Sequence, residues 1–343
     1  MLTSKPKLLF LFFIVACLLP VPIQIFAQDF YNDKTITFVV GTSPGGGFDT
    51  YTRVMARHIN RYIPGNPSTI VNNMPGAGGL VAANHMYNAA KPDGLTVGLW
   101  AGSFVLGQRL GQPGVQFDAR RFEWMGAPIR DNPVCALTKA SGVSSLDAWF
   151  SAKRPIKLGG NGPGSTPSIP VRVIKAALGL PIQLIDGFKG TGEIRLAAES
   201  GEIDGGCWDW SSIKSTWRRG LDAGDVKIVL QINAKPHPDL AEVPNAITQA
   251  KTEYARRLIK VGVHDQVNIF RAYTIAAGTP KERVAILQKA FIATMKDPAF
   301  LAEATKANLS IDPLDGEQVH EIVAGIFKLD DKSAQDLRKI LLD

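Results

Sequence analysis

The sequence predicts an α/β fold in two domains, one inserted into the other, with a ligand cleft between them. Three observations carry this. From residue 30 onward, short apolar runs alternate with amphipathic stretches at helical spacing, the rhythm of successive β–α units. Two stretches rich in proline and turn residues, "MGAPIRDNPV" (125–134) and "NAKPHPD" (233–239), interrupt that rhythm, and a complete α/β block lies between them. Each glycine-rich turn follows a strand, which is where open α/β sheets bind ligands. On this reading residues 28–130 and 233–343 form a discontinuous first domain and residues 131–232 the second.

The first unit is a strand at Thr35–Val40, a glycine-rich turn and a helix from about Asp49 to Tyr62. Tyr51, Val54, Met55, Ile59 and Tyr62 recur at helical spacing and form its apolar stripe, with Arg53, Arg57 and Arg61 outside. Pro64 and Gly65 end it. The second unit is a strand at Thr69–Asn72, the turn "MPGAGG" and a helix at Leu80–Ala89; "KPDG" then leads into a strand at Leu95–Trp100. In the inserted block, strands at Val134–Thr138, Ile156–Gly159, Gln183–Ile185, Gly205–Trp208 and Val226–Gln231 alternate with helices at Ser145–Ala152, Pro167–Leu178, Glu193–Ser200 and Ser211–Arg219. The tail holds an exposed amphipathic helix at Lys251–Lys260 and a strand at Asn268–Ala276. Helices follow at Pro280–Met295, Pro298–Ala307 and Leu314–Leu329.

Composition narrows the function classes. The chain has 343 residues, 45% hydrophobic and 20% charged, which is globular rather than disordered. Lys5 and Lys7 precede an apolar run at Leu8–Leu19, and Ile25-Phe26-Ala27 offers a cleavage point, so residues 1–27 read as a signal peptide. Cys17 after Ile14-Val15-Ala16 also resembles a lipoprotein box; the apolar Leu18-Leu19-Pro20-Val21 would be an odd start to a lipidated tether, so that reading ranks second. Without Lys5 and Lys7 the formal charge of +7 becomes +7 − 2 = +5. That charge is dispersed, with no Lys/Arg block and no aromatic–basic alternation, which argues against nucleic acid. Histidine and cysteine spacing offers no metal site. Cys135 and Cys207 either pair or stay as buried thiols; their spacing does not decide.

The turn after the first strand, Gly41-Thr42-Ser43-Pro44-Gly45, fits G-x-S-x-G and admits two readings. As a nucleophile elbow it needs an oxyanion N–H on the residue after Ser43. That residue is Pro44, which has none, and His237, His264 and His320 stand in no distinctive context. As an anion cradle it uses what is present. Gly45, Gly46 and Gly47 bring backbone N–H groups close to a ligand at a helix N-terminus, and Asp49 ties the turn down. Pro75 to Gly79 repeat the arrangement, so that two nests hold the oxygens of a carboxylate. No G-K-[ST] follows either turn, which disfavours phosphate. The bland alternative is that these glycines only make tight turns.

The pair "ITFVVGTSPGGGFDTYTRVMARHI" and "NNMPGAGGLVAANHMYNAAKPDGLTVG" resembles the receptors of the tripartite tricarboxylate transporter family, the Bug-type periplasmic solute-binding proteins. Pro44, Gly46 and Asp49 match its P-[GA]-G-x-x-D, Asn73 with Pro75 to Gly79 its N-x-P-G-A-G-G, and Pro92-Asp93-Gly94 its P-D-G. "FDARRFEWMG", "GNGPGSTPSIP", "GFKGTGE" and "AAGTPKERVAILQKAF" extend the likeness more loosely along the chain. The resemblance implies a two-domain clamshell of the type II periplasmic-binding-protein kind. It would be a monomer without cofactor or catalytic residues. It would capture a di- or tricarboxylate, an aromatic acid or an acidic amino acid in the periplasm and deliver it to membrane permease subunits. Ser43, Pro44, Gly45, Gly46 and Gly47, with Gly76, Ala77, Gly78 and Gly79, would form the anchor. Ser165, Thr166, Lys189, Gly190 and Thr191 would close from the second domain.

The chain departs from the pattern in that second domain. Thr166-Pro167-Ser168 lacks the usual histidine, Phe188 replaces a tyrosine, and "CWDWSS" (207–212) is bulkier than usual. On a strand, Trp208 and Trp210 would share one face and Asp209 the other; either one face is core and the other solvent, or Asp209 or the tryptophans face the cleft. Trp100, Ser103 and Phe104 would line the opposite wall. Two other functions fit parts of the sequence: a secreted serine hydrolase using Ser43, and a ligand-binding partner of a membrane sensor kinase.

Overall fold

Ile36, Phe38, Val39 and Val40 make the first strand, β1 (Thr35–Val40), apolar on both faces, as a strand covered on both sides must be. The computed structural model describes residues 30–342, so the signal-peptide segment and Cys17 lie outside the described residues. β1 runs parallel to β2 (Ser68–Asn73) and β3 (Thr96–Leu99). β4 (Glu123–Ala127) joins the same sheet through β10 (Tyr273–Ile275), which is antiparallel to both β3 and β4, and the short β11 (Leu314–Asp315) forms the edge. The order is β11-β4-β10-β3-β1-β2. The second sheet holds β5 (Pro133–Thr138), β6 (Ile156–Gly160), β7 (Ile182–Asp186), β8 (Gly205–Asp209) and β9 (Val226–Gln231), in the order β7-β6-β8-β5-β9.

The chain therefore leaves the first sheet after β4, completes the second, and returns to the first at β10. Its tail touches both layers. Helices Glu253–Ile259 and Asp331–Leu341 pack against helix Ser168–Leu178, and Gly262 sits close to Val173 and Leu337. The first of these helices is only partly exposed: Tyr254 faces solvent, while Ala255, Leu258 and Ile259 are buried.

The two cysteines form a disulfide. β5 and β8 are antiparallel with Cys135 directly opposite Cys207, their Cα atoms 4.1 Å apart, so both side chains leave the same face.

Several expectations need correction. Tyr62 is 37% exposed, because the helix tightens after Ile59 into a 3₁₀ turn that rotates it off the apolar stripe. Trp210 does not share a strand face with Trp208, because β8 ends at Asp209 and Trp210 opens helix Trp210–Thr216. The strand expected at 268–276 is only Tyr273–Ile275; a 3₁₀ turn, Val267–Ile269, precedes it. β4 and the helices Phe104–Arg109 and Asp331–Leu341 were not anticipated; β4 runs into the proline-rich stretch that masks it.

Candidate functional site

Strand order brings the carboxyl ends of β1 in one sheet and of β6, β7 and β8 in the other to one place. After β1 the chain turns through Thr42 to Gly46 into helix Gly47–Ile59. Asp49 holds this turn as the sequence implies: its carboxylate accepts from Gly45 N–H at 3.0 Å, from Arg53 Nε at 2.9 Å and from Asn73 Nδ2 at 3.0 Å. Burial works to raise its pKa, but Arg53, Gly45 and Asn73 together bring it below the usual carboxylate value.

The turn lies hard against the second sheet's loops. Ser43 N–H donates to the Lys189 carbonyl at 2.9 Å. A Cβ on Gly46 would stand 2.8 Å from Thr191 Oγ1, and one on Gly47 would overlap Ser212. Farther along the seam, Ser103 Oγ donates to the Gly164 carbonyl at 2.6 Å and Gln112 Nε2 to that of Pro163 at 2.9 Å. Tyr51 Oη meets Ser211 Oγ.

Between these contacts is a small cavity of about 30 Å³, partly open to solvent. Four of the residues expected at the site line it: Gly47, Thr166, Thr191 and Asp209. Two N-termini meet there, those of the 13-residue helix Gly47–Ile59 and the 9-residue helix Thr191–Glu199. Ser43, Pro44, Gly45, Gly46 and Asp49 form the turn behind Gly47 and do not line the cavity. Lys189 and Gly190 pack on Ser43, as the bond and close approach there show.

The second glycine-rich turn is elsewhere. Gly76, Ala77, Gly78 and Gly79 do not line the cavity; a Cβ on Gly78 would stand 2.8 Å from that of Ser165. Ser103 and Ser165 are fully buried, with their hydroxyls bonded to the Gly164 and Gly162 carbonyls. Trp100 and Phe104 do not reach the cleft. Trp100 sits in an aromatic cluster with Phe117, Phe122 and Trp124, and Phe104 is buried in the same core. Trp208 does line the cavity, stacked on Trp217 with centroids 5.6 Å apart.

The residue that sequence reasoning missed is Arg271. It lines the cavity at 1% exposure. Its Nη2 donates to Ser212 Oγ at 2.9 Å and Asp209 Oδ2 at 3.2 Å, and lies 3.4 Å from Asp131 Oδ1. The guanidinium carbon stands 4.3 Å from the centroid of the Tyr51 ring and 5.5 Å from that of Phe48. Nε and Nη1 have no hydrogen-bond partner among the described residues. Burial works to lower the Arg271 pKa, but Asp131 and Asp209 hold it above its usual value. Burial pushes Asp131 well above the usual carboxylate range, against the pull of Arg271. The available signal was an arginine inside the apolar run "NIFRAYTIAA", where a buried charge needs partners.

Asp209 is less available to a ligand than the sequence implies. Its Oδ1 accepts from Asn132 N–H at 2.9 Å and its Oδ2 from Ser212 N–H at 3.0 Å, besides the bond from Arg271. Ser43 Oγ is buried with no hydrogen-bond partner among the described residues, so no base is in contact with it.

Comparison with known proteins agrees with this architecture. The family model described as "Tripartite tricarboxylate transporter family receptor" matches residues 52–332. Among solved structures, the periplasmic binding protein BugD superposes with a TM-score of 0.71 at 19% identity, covering 91% of this chain and 99% of its own. MatC from Rhodopseudomonas palustris, with bound malate, gives 0.69 at 18% identity, covering 90% and 99%. A second R. palustris protein, with adipate, gives 0.71 at 20% identity, covering 90% and 98%. At these identities the likeness shows a shared fold, that of periplasmic binding proteins. No curated protein matches the chain in sequence.

Proposed function

The chain belongs to the tripartite tricarboxylate transporter receptor family, and from that premise we propose that it captures an organic carboxylate between two domains. The observation that carries this reading is the convergence of two helix N-termini, at Gly47 and Thr191, on a cavity that also holds the buried Arg271. Helix N-termini offer unpaired N–H groups and partial positive charge, and a guanidinium adds a full one. The malate and adipate carried by two structural neighbours support the same ligand class.

In this reading residues 28–130 and 233–343 form one domain and 131–232 the other, hinged at the two crossings. Thr42, Gly47, Thr166, Thr191 and Arg271 face the ligand. Ser43, Pro44, Gly45, Gly46 and Asp49 hold the first turn in place. Gly76 to Gly79, Ser103, Ser165, Lys189 and Gly190 hold the closed arrangement, and Asp209 positions Arg271. The chain is exported, loses residues 1–27, and works in the periplasm as a monomer that delivers its ligand to membrane permease subunits.

A thermal-shift screen tests the ligand class. Di- and tricarboxylates, aromatic acids and acidic amino acids should include at least one stabiliser. At ligand about 100-fold above Kd, binding adds roughly 2.7 kcal/mol, a shift on the order of 5 °C for a chain of this size. If only phosphate esters or neutral sugars raise the transition, the carboxylate reading fails.

A further inference from the structure

The cavity lining contains one cation, Arg271, and two carboxylates, Asp131 and Asp209. Asp209 is bonded through both oxygens to the protein, one of them to Arg271 Nη2. Asp131 is buried, with Oδ1 near that same nitrogen and without a hydrogen bond. The rest of the wall carries no charge: Phe48, Pro133, Trp208 and Phe270 are apolar, and Thr42, Asn161, Thr166, Thr191 and Ser212 are neutral polar side chains.

We propose that this cleft selects a monocarboxylate with an apolar body. Arg271 and the two helix N-termini take its single carboxylate, and Phe48, Pro133, Trp208 and Phe270 take the body. The inference rests on the receptor reading above and narrows it.

Charge accounting supports it. Two helix N-termini contribute about +0.5 each, on the order of +1 together. The donors without a partner among the described residues, Arg271 Nε and Nη1, together with the first N–H groups of the two helices, are enough for one carboxylate. A second carboxylate on the ligand would meet no remaining cation and would share a buried, low-dielectric space with Asp209.

Calorimetric titration at fixed ionic strength with two matched sets, benzoate against terephthalate and hexanoate against adipate and tricarballylate, tests this. At least one monocarboxylate should bind about tenfold or more tighter than its dicarboxylate partner, a difference of about 1.4 kcal/mol. A di- or tricarboxylate that binds as tightly as its monocarboxylate, or tighter, overturns the inference and leaves the receptor reading standing. Silence from all five overturns it too, and the wider thermal-shift panel then decides the receptor reading separately. Arg271→Gln should weaken the best monocarboxylate by roughly 10- to 100-fold, as loss of a charged hydrogen-bond donor does, and Arg271→Lys should restore part of that. A folded Arg271→Gln variant that binds normally also overturns the assignment. Should that variant not fold, its two aspartates being left unpaired in the interior, the ligand series on the unaltered protein still decides.

Discussion

The turn after β1 and the turn after β2 share composition, a preceding parallel strand and a following helix, yet only the first reaches the cavity. The difference lies in what the second sheet places opposite each. Gly47 meets Ser212, in the first turn of the helix that follows β8, beside Asp209 and Arg271. Gly78 meets Ser165 and the Asn161 carbonyl, which leave no gap between them and the turn. Composition fixes where the backbone can bend sharply; the facing partner fixes whether the bend becomes a ligand surface.

The largest expected effect comes from the covalent tie behind the first turn's partner. Cys135–Cys207 joins β5 to β8 just before Trp208 and Asp209, whereas the Asn161–Ser165 loop facing the second turn contains no cysteine. The bridge spans a sequence separation of 72. A loop of that length gives a chain-entropy contribution of up to about 4 kcal/mol. The double variant Cys135→Ala/Cys207→Ala should therefore melt roughly 6 °C lower by calorimetry. Hydrogen exchange should rise more at Trp208–Ser212 than at Asn161–Ser165. Equal loosening at both would remove the asymmetry argued here.

A smaller effect separates the two turns directly. Gly47 occupies the first position of its helix with an ordinary helical backbone, so alanine suits the fold. Its methyl, however, would occupy the space of Ser212. Gly47→Ala should therefore lower the ligand-free melting temperature by a few degrees and also weaken a carboxylate ligand by about tenfold or more, about 1.4 kcal/mol. In the second turn Ala77 stands at φ 45°, a left-handed conformation that glycine adopts without strain. Ala77→Gly should leave affinity unchanged. Comparable losses of affinity in the two variants, read by titration calorimetry, would mean that the turns do not differ in role.

The same contrast explains what was legible in the sequence. Strand β1, its turn, Asp49 and the helix from Gly47 are neighbours in the chain, and their geometry follows from residues a few positions apart. The alternation of strands and helices was legible for the same reason, each unit being local. The Arg271 cluster was not. Arg271 and Asp209 stand 62 residues apart and belong to different sheets' ends, and nothing in either neighbourhood names the other. Trp100 misled because the aromatic residues that absorb it, Phe117, Phe122 and Trp124, come from a later segment.

The smallest effect concerns Ser43 and decides whether the first turn is an elbow. Its Oγ is buried and unpartnered, while its N–H is engaged by Lys189. Ser43→Ala thus removes a hydroxyl that makes no hydrogen bond and leaves every backbone donor in place. Loss of an unsatisfied buried group is favourable and the small void is unfavourable, so the two effects oppose each other. Carboxylate affinity should stay within roughly threefold, about 0.6 kcal/mol. A hydrolase demands another pattern, because its serine must be activated by a base within hydrogen-bond reach. Titration of the unaltered and Ser43→Ala proteins, with a nitrophenyl-ester assay beside it, separates the two. Matching affinities without turnover keep the turn as scaffold for Gly47 and its helix. Ester turnover that vanishes with the hydroxyl would make Ser43 the reactive group, and the turn after β1 would then differ from the turn after β2 in chemistry as well as in what faces it.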